Sequence, residues 1–574
     1  EIRFVGLFTS DAYTRMARDV PLIRRKVETV KDMLKADAGD YSARSLNNVL
    51  ETYPRDELFQ ITVEDLARIA EGVLALMQRP RTRLFIRRDK FDRYVSAILF
   101  TPRENYTPEL RKRAHTAIAQ AFGGRESAYY PQFSDGPLAH VLFIVGLKPG
   151  HPEPDPDTLD IHIRQMAETW EDGLAKGSRL NPSLAVNHSN VRFNAAYKEA
   201  FSPEEALKDL IAIDAMDDDQ QLSVRTNGHG AEAHIAGCKV YRRGVSLDLS
   251  DMVPILENMG LRVKSETGYP VTLNASADDK EIYWVHDVRM EPPNGGIELG
   301  QSFADAFAAI WNGQSENDGF NQLIVHQAMT WREAALLRTL CRYRQQSGLD
   351  PSETVQIAAL VSHPHIACKL VGLFSHRFNP AKEGGLDDRR KAQSDIADDV
   401  LKALDEVASL DNDRVLRRLM HLIMATQRTN FYQLSDSGLP YPYISIKVAS
   451  QELEDLPAPK PYREIFVWSP DVEGVHLRFG PVARGGLRWS DRRDDFRTEV
   501  LGLVKAQQVK NSVIVPVGSK GGFYPKKLPI GGTREDVRDA GVAAYKIFIS
   551  SLLQITDNLK DGLPQRPQNC IAWD

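Results

Sequence analysis

The chain has 574 residues, 42% hydrophobic and 26% charged, a composition that excludes disordered, collagenous and disulfide-rich classes. At roughly 100 to 200 residues per domain, this length implies about three to five domains. Lys and Arg number 72 against 78 Asp and Glu, and the net charge of -6 offers no long-range attraction for nucleic acid or anionic lipid, so neither is expected as a partner.

The chain opens on a strand-like run (Ile2, Phe4, Val5, Leu7, Phe8) and stops at Asp574 without a closing element, so both ends read as cuts through a longer protein. Residues 11–80 read as helices. The clearest has Thr62 as N-cap, Asp65 three residues on, and Leu66, Ile69, Ala70, Val73, Leu74 and Met77 at helical spacing up to Pro80. Two β-rich runs follow, Leu84–Ile86 and Tyr94–Phe100. Next comes a helix capped by Thr107 with Pro108 at its first position and a stop at Gly123-Gly124, then strands at Ala128–Phe133 and His140–Val145. The order β-β-α-β-β predicts a small sheet covered on one face by helices.

A similar unit recurs between about Leu222 and Met290. Lys239–Arg242 leads to a helix capped by Ser250 that places Met252, Ile255, Leu256 and Met259 on one stripe and ends at Gly260. Strands follow at Leu261–Ser265 and Ile282–Arg289. In architecture both units resemble the ACT-like regulatory modules of enzymes of amino-acid metabolism. Residues 297–440 return to helix, with long patterned stretches at Ile324–Tyr343 and Ile396–Met424. Prolines 440, 442, 457, 459 and 461 mark a change to β character, and a boundary is expected near residue 445.

Two signals are discounted. Gly228–Ala233 fits GxGxxA, with Asp248 at the distance of a ribose-binding acid, but Ile235–Tyr241 return to β-like residues before a phosphate-binding helix can form. His363, His365, Cys368 and His376 lie close together, yet HxHxxC matches no common zinc spacing, and no metal is expected. The four cysteines, Cys238, Cys341, Cys368 and Cys570, are scattered without a CxxC pair. Apolar stretches such as Val141–Val145 fall far short of the roughly 20 residues a membrane span needs. A cytoplasmic setting is the expectation.

The chemistry is concentrated near the C-terminal end. The alternating strand Val475–Phe479 runs into GPVARGGLRW (480–489), which puts Arg484 near a strand end. A helix from about Asp494 to Lys510, an apolar run Val513–Val517 and Gly518-Ser519-Lys520-Gly521-Gly522 follow. Glycines on both sides of Lys520 let a ligand approach the backbone there.

GPVARGGLRW, VKAQQVKNS and PVGSKGGF, in that order, resemble the substrate domain of glutamate dehydrogenases. The linking RWSDRRDDFRTEV and the earlier ETYPRDELFQ resemble the large NAD-specific bacterial class, a likeness that extends over essentially the whole chain. The resemblance implies a mixed α/β multidomain chain. It reads as 1–80 a helical region after a cut N-terminal domain, 81–155 an ACT-like α+β module, 156–220 a helical connector and 221–296 a second ACT-like module. A helical scaffold occupies 297–445, and the N-terminal part of a catalytic, substrate-binding domain occupies 446–574. It further implies Lys520 as the catalytic lysine that polarises the 2-oxo group, Lys510 and Gln507 on the substrate α-carboxylate, and Arg484 with Gly485 at the distal carboxylate. Arg484 stands where smaller relatives carry lysine, Ser519 replaces a glycine, and Lys526 stands where Asp or Asn is usual. The implied reaction is NAD-dependent oxidative deamination of L-glutamate to 2-oxoglutarate and ammonia by a homo-oligomer. NAD would be bound by a domain beyond Asp574, leaving this piece inactive alone. From another class comes the alternative of a regulatory and assembly platform binding an effector amino acid or partner subunits.

Overall fold

The computed structural model describes residues 8–34, 41–133, 136–180, 190–216, 221–227, 235–274, 280–292, 299–349, 352–510 and 517–574, with the backbone alone at 41–42 and 508–510. The strand-like run at 2–7, the GxGxxA stretch and residues 513–516 of the apolar run lie outside the described residues. The chain divides into two compact units, residues 1–185 with 201–207, and 186–200 with 208–574.

In the first unit, helices α1 (Ile23–Met33), α2 (Tyr41–Thr52), α3 (Arg55–Gln60) and α4 (Val63–Gln78) precede the sheet. The Thr62 hydroxyl caps α4 by accepting from the Asp65 N–H, which satisfies one of the donors that the first turn leaves unpaired. The sheet is antiparallel in the order β1-β2-β4-β3, from β1 (Arg83–Arg88), β2 (Tyr94–Pro102), β3 (Arg125–Phe133) and β4 (Leu138–Gly146). Helix α5 (Pro108–Ala121) joins β2 to β3, and α6 (Pro156–Ala167) and α7 (Trp170–Leu180) follow β4. The expected one-sided cover is corrected here. Phe85, Ile98, Phe100 and Leu142 pack on the N-terminal helices, while Leu84, Ala97, Leu99 and Val141 pack on α5 and α6. Alternate residues of a strand point to opposite faces, and both sets are apolar in β2 and β4, so each face needs a helical layer.

The second unit holds a five-stranded sheet, order β5-β8-β9-β7-β6, built from β5 (Arg192–Phe193), β6 (Leu222–Asn227), β7 (Ala236–Arg243), β8 (Arg262–Leu273) and β9 (Glu281–Glu291). Two helices precede β6, α8 (Ala195–Ala200) and α9 (Pro203–Asp214), the latter belonging to this unit from Lys208 on, and α10 (Leu249–Asn258) follows β7. The expected cap Ser250 lies inside α10, because Asp248 is the N-cap and the helix starts two residues earlier. Ala236, Cys238 and Val240 of β7 pack against α10 and α11 (Gln301–Trp311), while Lys239 and Tyr241 point the other way. On that side the buried Asp209 carboxylate accepts from Tyr197 (2.5 Å), Tyr241 (2.8 Å), Lys239 (2.6 Å) and Arg225 (2.7 Å).

The helical scaffold comprises α12 (Gln322–Gln327), α13 (Trp331–Gln346), α14 (Glu353–Ser362), α15 (Pro364–Phe378), α16 (Leu386–Leu404) and α17 (Leu410–Ala425). The patterned run 324–343 is two helices, because Ala328 takes a left-handed conformation (φ 51°) and Thr330 then opens α13 with a capping box to Glu333. Among the described residues no single helix is long and apolar enough to cross a membrane. The pair α14–α15 passes only jointly, is bent by 99°, and contributes Leu360, Ile366, Leu370 and Leu373 to the core.

That core continues into a six-stranded sheet, order β10-β11-β12-β13-β15-β14. Its strands are β10 (Thr426–Thr429), β11 (Ile444–Val448), β12 (Arg463–Trp468), β13 (Val472–Arg478), β14 (Ala483–Trp489) and β15 (Val517–Pro525). Helix α18 (Phe496–Lys510) links β14 to β15, and α19 (Arg534–Leu553) with the hairpin β16 (Asn558–Lys560) and β17 (Leu563–Gln565) completes the chain. All neighbours in the large sheet are antiparallel except β14 and β15.

Candidate active site

Arg484 sits near a strand end, as expected, but the strand is not Val475–Phe479. Arg484 is the second residue of a separate strand, β14, which pairs parallel with β15 and aligns Arg484 with Gly518 and Gly486 with Lys520. In-register neighbours and alternate residues share a face, so Arg484, Gly486, Gly518 and Lys520 all lie on one side of the sheet. On the same side lie Val475 and Leu477 of β13, both fully buried, with Leu477 opposite Lys520.

Helix α18 covers this side. Its stripe Phe496, Val500 and Val504 packs into the core, and the glycines of β15 let it come close. A Cβ at Gly522 would stand 2.4 Å from Val500, and one at Gly518 would stand 3.2 Å from Val504. Lys520 lies between these two glycines, half-buried, and a Cβ at Gly486 would meet its ammonium at 3.7 Å. Farther along the helix, the Gln507 amide donates to the Arg484 carbonyl (3.4 Å). The Gln507 carbonyl oxygen is buried and has no hydrogen-bond partner among the described residues. Arg484 and Lys520 thus share one face of the sheet, with Gln507 of α18 bonded to the backbone beside Arg484. Lys510 ends α18 three residues past Gln507, and its side chain lies outside the described residues.

Gly485 is placed differently. It aligns with Ser519 on the opposite face, and a Cβ there would lie 1.4 Å from the Ser519 carbonyl oxygen. The absence of a side chain is what permits β14 to pair with β15.

Buried ion pairs that the motifs did not reveal hold this frame. Arg497 in the first turn of α18 grips Glu464 of β12 through two bonds (2.7 and 2.9 Å), both side chains being almost fully buried. Arg342 of α13 does the same to Glu473 of β13. Burial disfavours ionisation of Glu473, but the adjacent Lys526 and Arg342 outweigh it and hold the carboxyl below its ordinary range. Lys526 also reaches Glu316 (2.9 Å) and the Ser469 carbonyl (2.9 Å), which accounts for a cation where smaller relatives carry Asp or Asn. One signal for Arg497 was present in sequence, since it falls on the same helical stripe as Leu501 and Val504.

Arg488 pairs with Glu499, and Arg492 with Asp495. Among the described residues no group of three or more His, Cys, Asp or Glu could hold a metal ion. His363 contacts the Ala359 carbonyl (3.1 Å), and the Cys368 thiol contacts Gln327 (3.4 Å).

Helical layers, two small α+β modules and a terminal sheet describe a modular multidomain chain, and family models match it in that order. They are the glutamate dehydrogenase helical motif 1 (residues 20–79), ACT2 domain (83–171), ACT3 domain (221–302) and helical motif 3 (315–380), and the bacterial NAD-glutamate dehydrogenase catalytic domain (399–574). The chain is 40% identical over 591 residues to the NAD-specific glutamate dehydrogenase of Halomonas elongata, and 40% identical over 590 residues to that of Pseudomonas aeruginosa. Each alignment covers 100% of this chain and 36% of the relative. The protein of the same description from Mycobacterium tuberculosis is 36% identical over 97% of this chain and 36% of its own length. The chain belongs to the family of large bacterial NAD-specific glutamate dehydrogenases and spans about a third of the length of these relatives.

Proposed function

We propose that this chain supplies the substrate-binding half of an enzyme that oxidatively deaminates L-glutamate to 2-oxoglutarate and ammonia with NAD. The observation that carries this reading is the register of β14 and β15, which sets Arg484 and Lys520 on one face of the sheet beside Gln507. A dicarboxylate with a reacting carbon between its charges needs cations at separated points, and a guanidinium fork is suited to a carboxylate. In this reading Arg484 takes the distal carboxylate, and Lys510 with Gln507 takes the α-carboxylate. Lys520 lies at the 2-position, where its ammonium polarises the oxo group and stabilises charge developing on that oxygen. Gly485 contributes by letting the two strands meet. NAD, bound by a part of the enzyme outside these 574 residues, supplies the hydride acceptor, so these residues bind substrate without turning it over alone.

Replacing Lys520 by Ala in the intact enzyme is expected to lower kcat by roughly a thousandfold or more while NAD affinity stays within about twofold, since the lysine acts on the reacting carbon and not on the dinucleotide. Steady-state kinetics with NAD titration checks this. The matched ACT2 and ACT3 domains support a second reading, a regulatory and assembly platform that binds an effector amino acid or neighbouring subunits. Near-normal turnover in the Lys520→Ala enzyme would leave that reading in place of the first.

A further inference from the structure

The face of the six-stranded sheet turned away from Lys520 carries its own set of cations. Arg463 of β12 and Arg478 of β13 are directly opposite each other in the antiparallel register. Like charges so placed repel, and sheets normally avoid them or insert an acid between them. Among the described residues neither guanidinium meets a carboxylate. Arg463 donates to the Tyr462 carbonyl (2.7 Å) and lies over the Tyr462 ring at 4.3 Å, and Arg478 donates to the Pro481 carbonyl (3.0 Å).

The two arginines line a cavity of about 270 Å³ together with Arg428, Lys447, His476, Asp557 and Asp574. The two carboxylates are already taken. Arg428 binds Asp574 (2.6 Å) and Asp557 (2.6 Å), and Lys447 also binds Asp574. Four cations against two acids leave two positive charges, and those two are the adjacent forks of Arg463 and Arg478. His476 sits two residues before Arg478 on the same face, its ring packed near Gly521. Burial first, and then Arg478, keep the imidazole neutral with a pKa of about 4, so it can offer one donor without adding charge.

We propose that this cavity binds a phosphate group, free or carried by a small metabolite, between Arg463 and Arg478. Directly opposed residues of an antiparallel pair stand only about 5 Å apart at Cα, so both forks can reach one compact dianion, a better match than two separated carboxylates. Each fork supplies parallel N–H donors, and a tetrahedral dianion presents acceptors toward both. The site lies on the opposite face of β15 from the glutamate site, so it is distinct from the substrate carboxylate positions.

The test uses the full 574-residue chain with inorganic phosphate as the probe, at constant ionic strength set by chloride, read by calorimetry and by the melting temperature. Phosphate is expected to bind and raise the melting temperature. The double variant Arg463→Gln/Arg478→Gln is expected to bind at least tenfold more weakly, and to melt higher than the parent without phosphate because the repulsion is gone. Lys520→Ala is expected to bind phosphate as the parent does. A nucleoside monophosphate run in parallel separates the two sources. Tighter binding than phosphate assigns the site to a phosphorylated metabolite, and equal binding assigns it to the free ion. A phosphate effect matched by chloride, one that survives the double variant, or one lost in Lys520→Ala would each overturn the proposal.

Discussion

At the scale of single residues, Gly485 is the most constrained position near the candidate site. With the added Cβ at 1.4 Å from the Ser519 carbonyl, Gly485→Ala must push β14 away from β15. Overpacking of this kind costs about 1–3 kcal/mol. The expected outcome is a lower urea midpoint together with faster hydrogen exchange at the amides of Ser519–Gly521. The sequence motifs made Arg484, Gln507 and Lys520 legible as candidates. They did not separate the duties of Gly485 and Gly486. Adjacent letters in the motif point to opposite faces, and only strand register reveals that one glycine admits the neighbouring strand while the other leaves room beside the lysine ammonium.

At the scale of elements, α18 is seated by the buried Arg497–Glu464 pair. Removing one partner leaves the other charge buried and alone, which costs about 3–5 kcal/mol, whereas replacing both with apolar residues of similar volume is far milder. Glu464→Gln is therefore expected to destabilise the second unit by an amount near that range, and Glu464→Leu/Arg497→Met to restore much of it. Denaturant titration of the three proteins checks the pattern. Residues 464 and 497 are 33 positions apart, and nothing local in either segment announces the other. Strand β14 was hard to read for a related reason. Two consecutive glycines weaken a strand by local preference, and the ARGGLRW segment becomes one only through its pairing with β15. Where the cause was local, the reading came easily, as with the Thr62 and Thr107 caps, whose hydroxyls accept from the third residue on. Local pattern also misled, since the apolar spacing of 324–343 runs straight through the left-handed Ala328.

For the whole molecule, the alternation of helical stretches with small sheets was visible from changes in apolar period. The cover on both faces of the first sheet was not, because it needs the helices before β1 to fold back over the face opposite α5 and α6. That double cover buries His140, which stacks on Phe100 (ring centroids 5.1 Å apart) and meets the Gln132 side chain (2.6 Å). Burial lowers its pKa from 6.5 to about 4. The unfolded chain therefore takes up a proton near pH 6.5 and the folded one only near pH 4. Stability from this group is complete above pH 6.5 and is lost as the pH falls toward 4, by about 3 kcal/mol in all. Urea midpoints of the first unit measured at pH 7 and pH 4.5 should show this decline, and His140→Gln should flatten it.

The two-residue offset between Arg484 and Lys520 acts as a ruler made of backbone. Two strand rises combined with one interstrand step separate their Cα atoms by roughly 8 Å. Changing the side chain at position 484 or 520 leaves that figure unchanged. Sliding β14 by one residue would turn Arg484 to the far face, so the next permitted setting differs by two residues at once. In the proposed reading, the length of substrate measured between these cations is therefore quantised. Gradual sequence change can retune affinity, but a dicarboxylate of different chain length requires a new strand alignment.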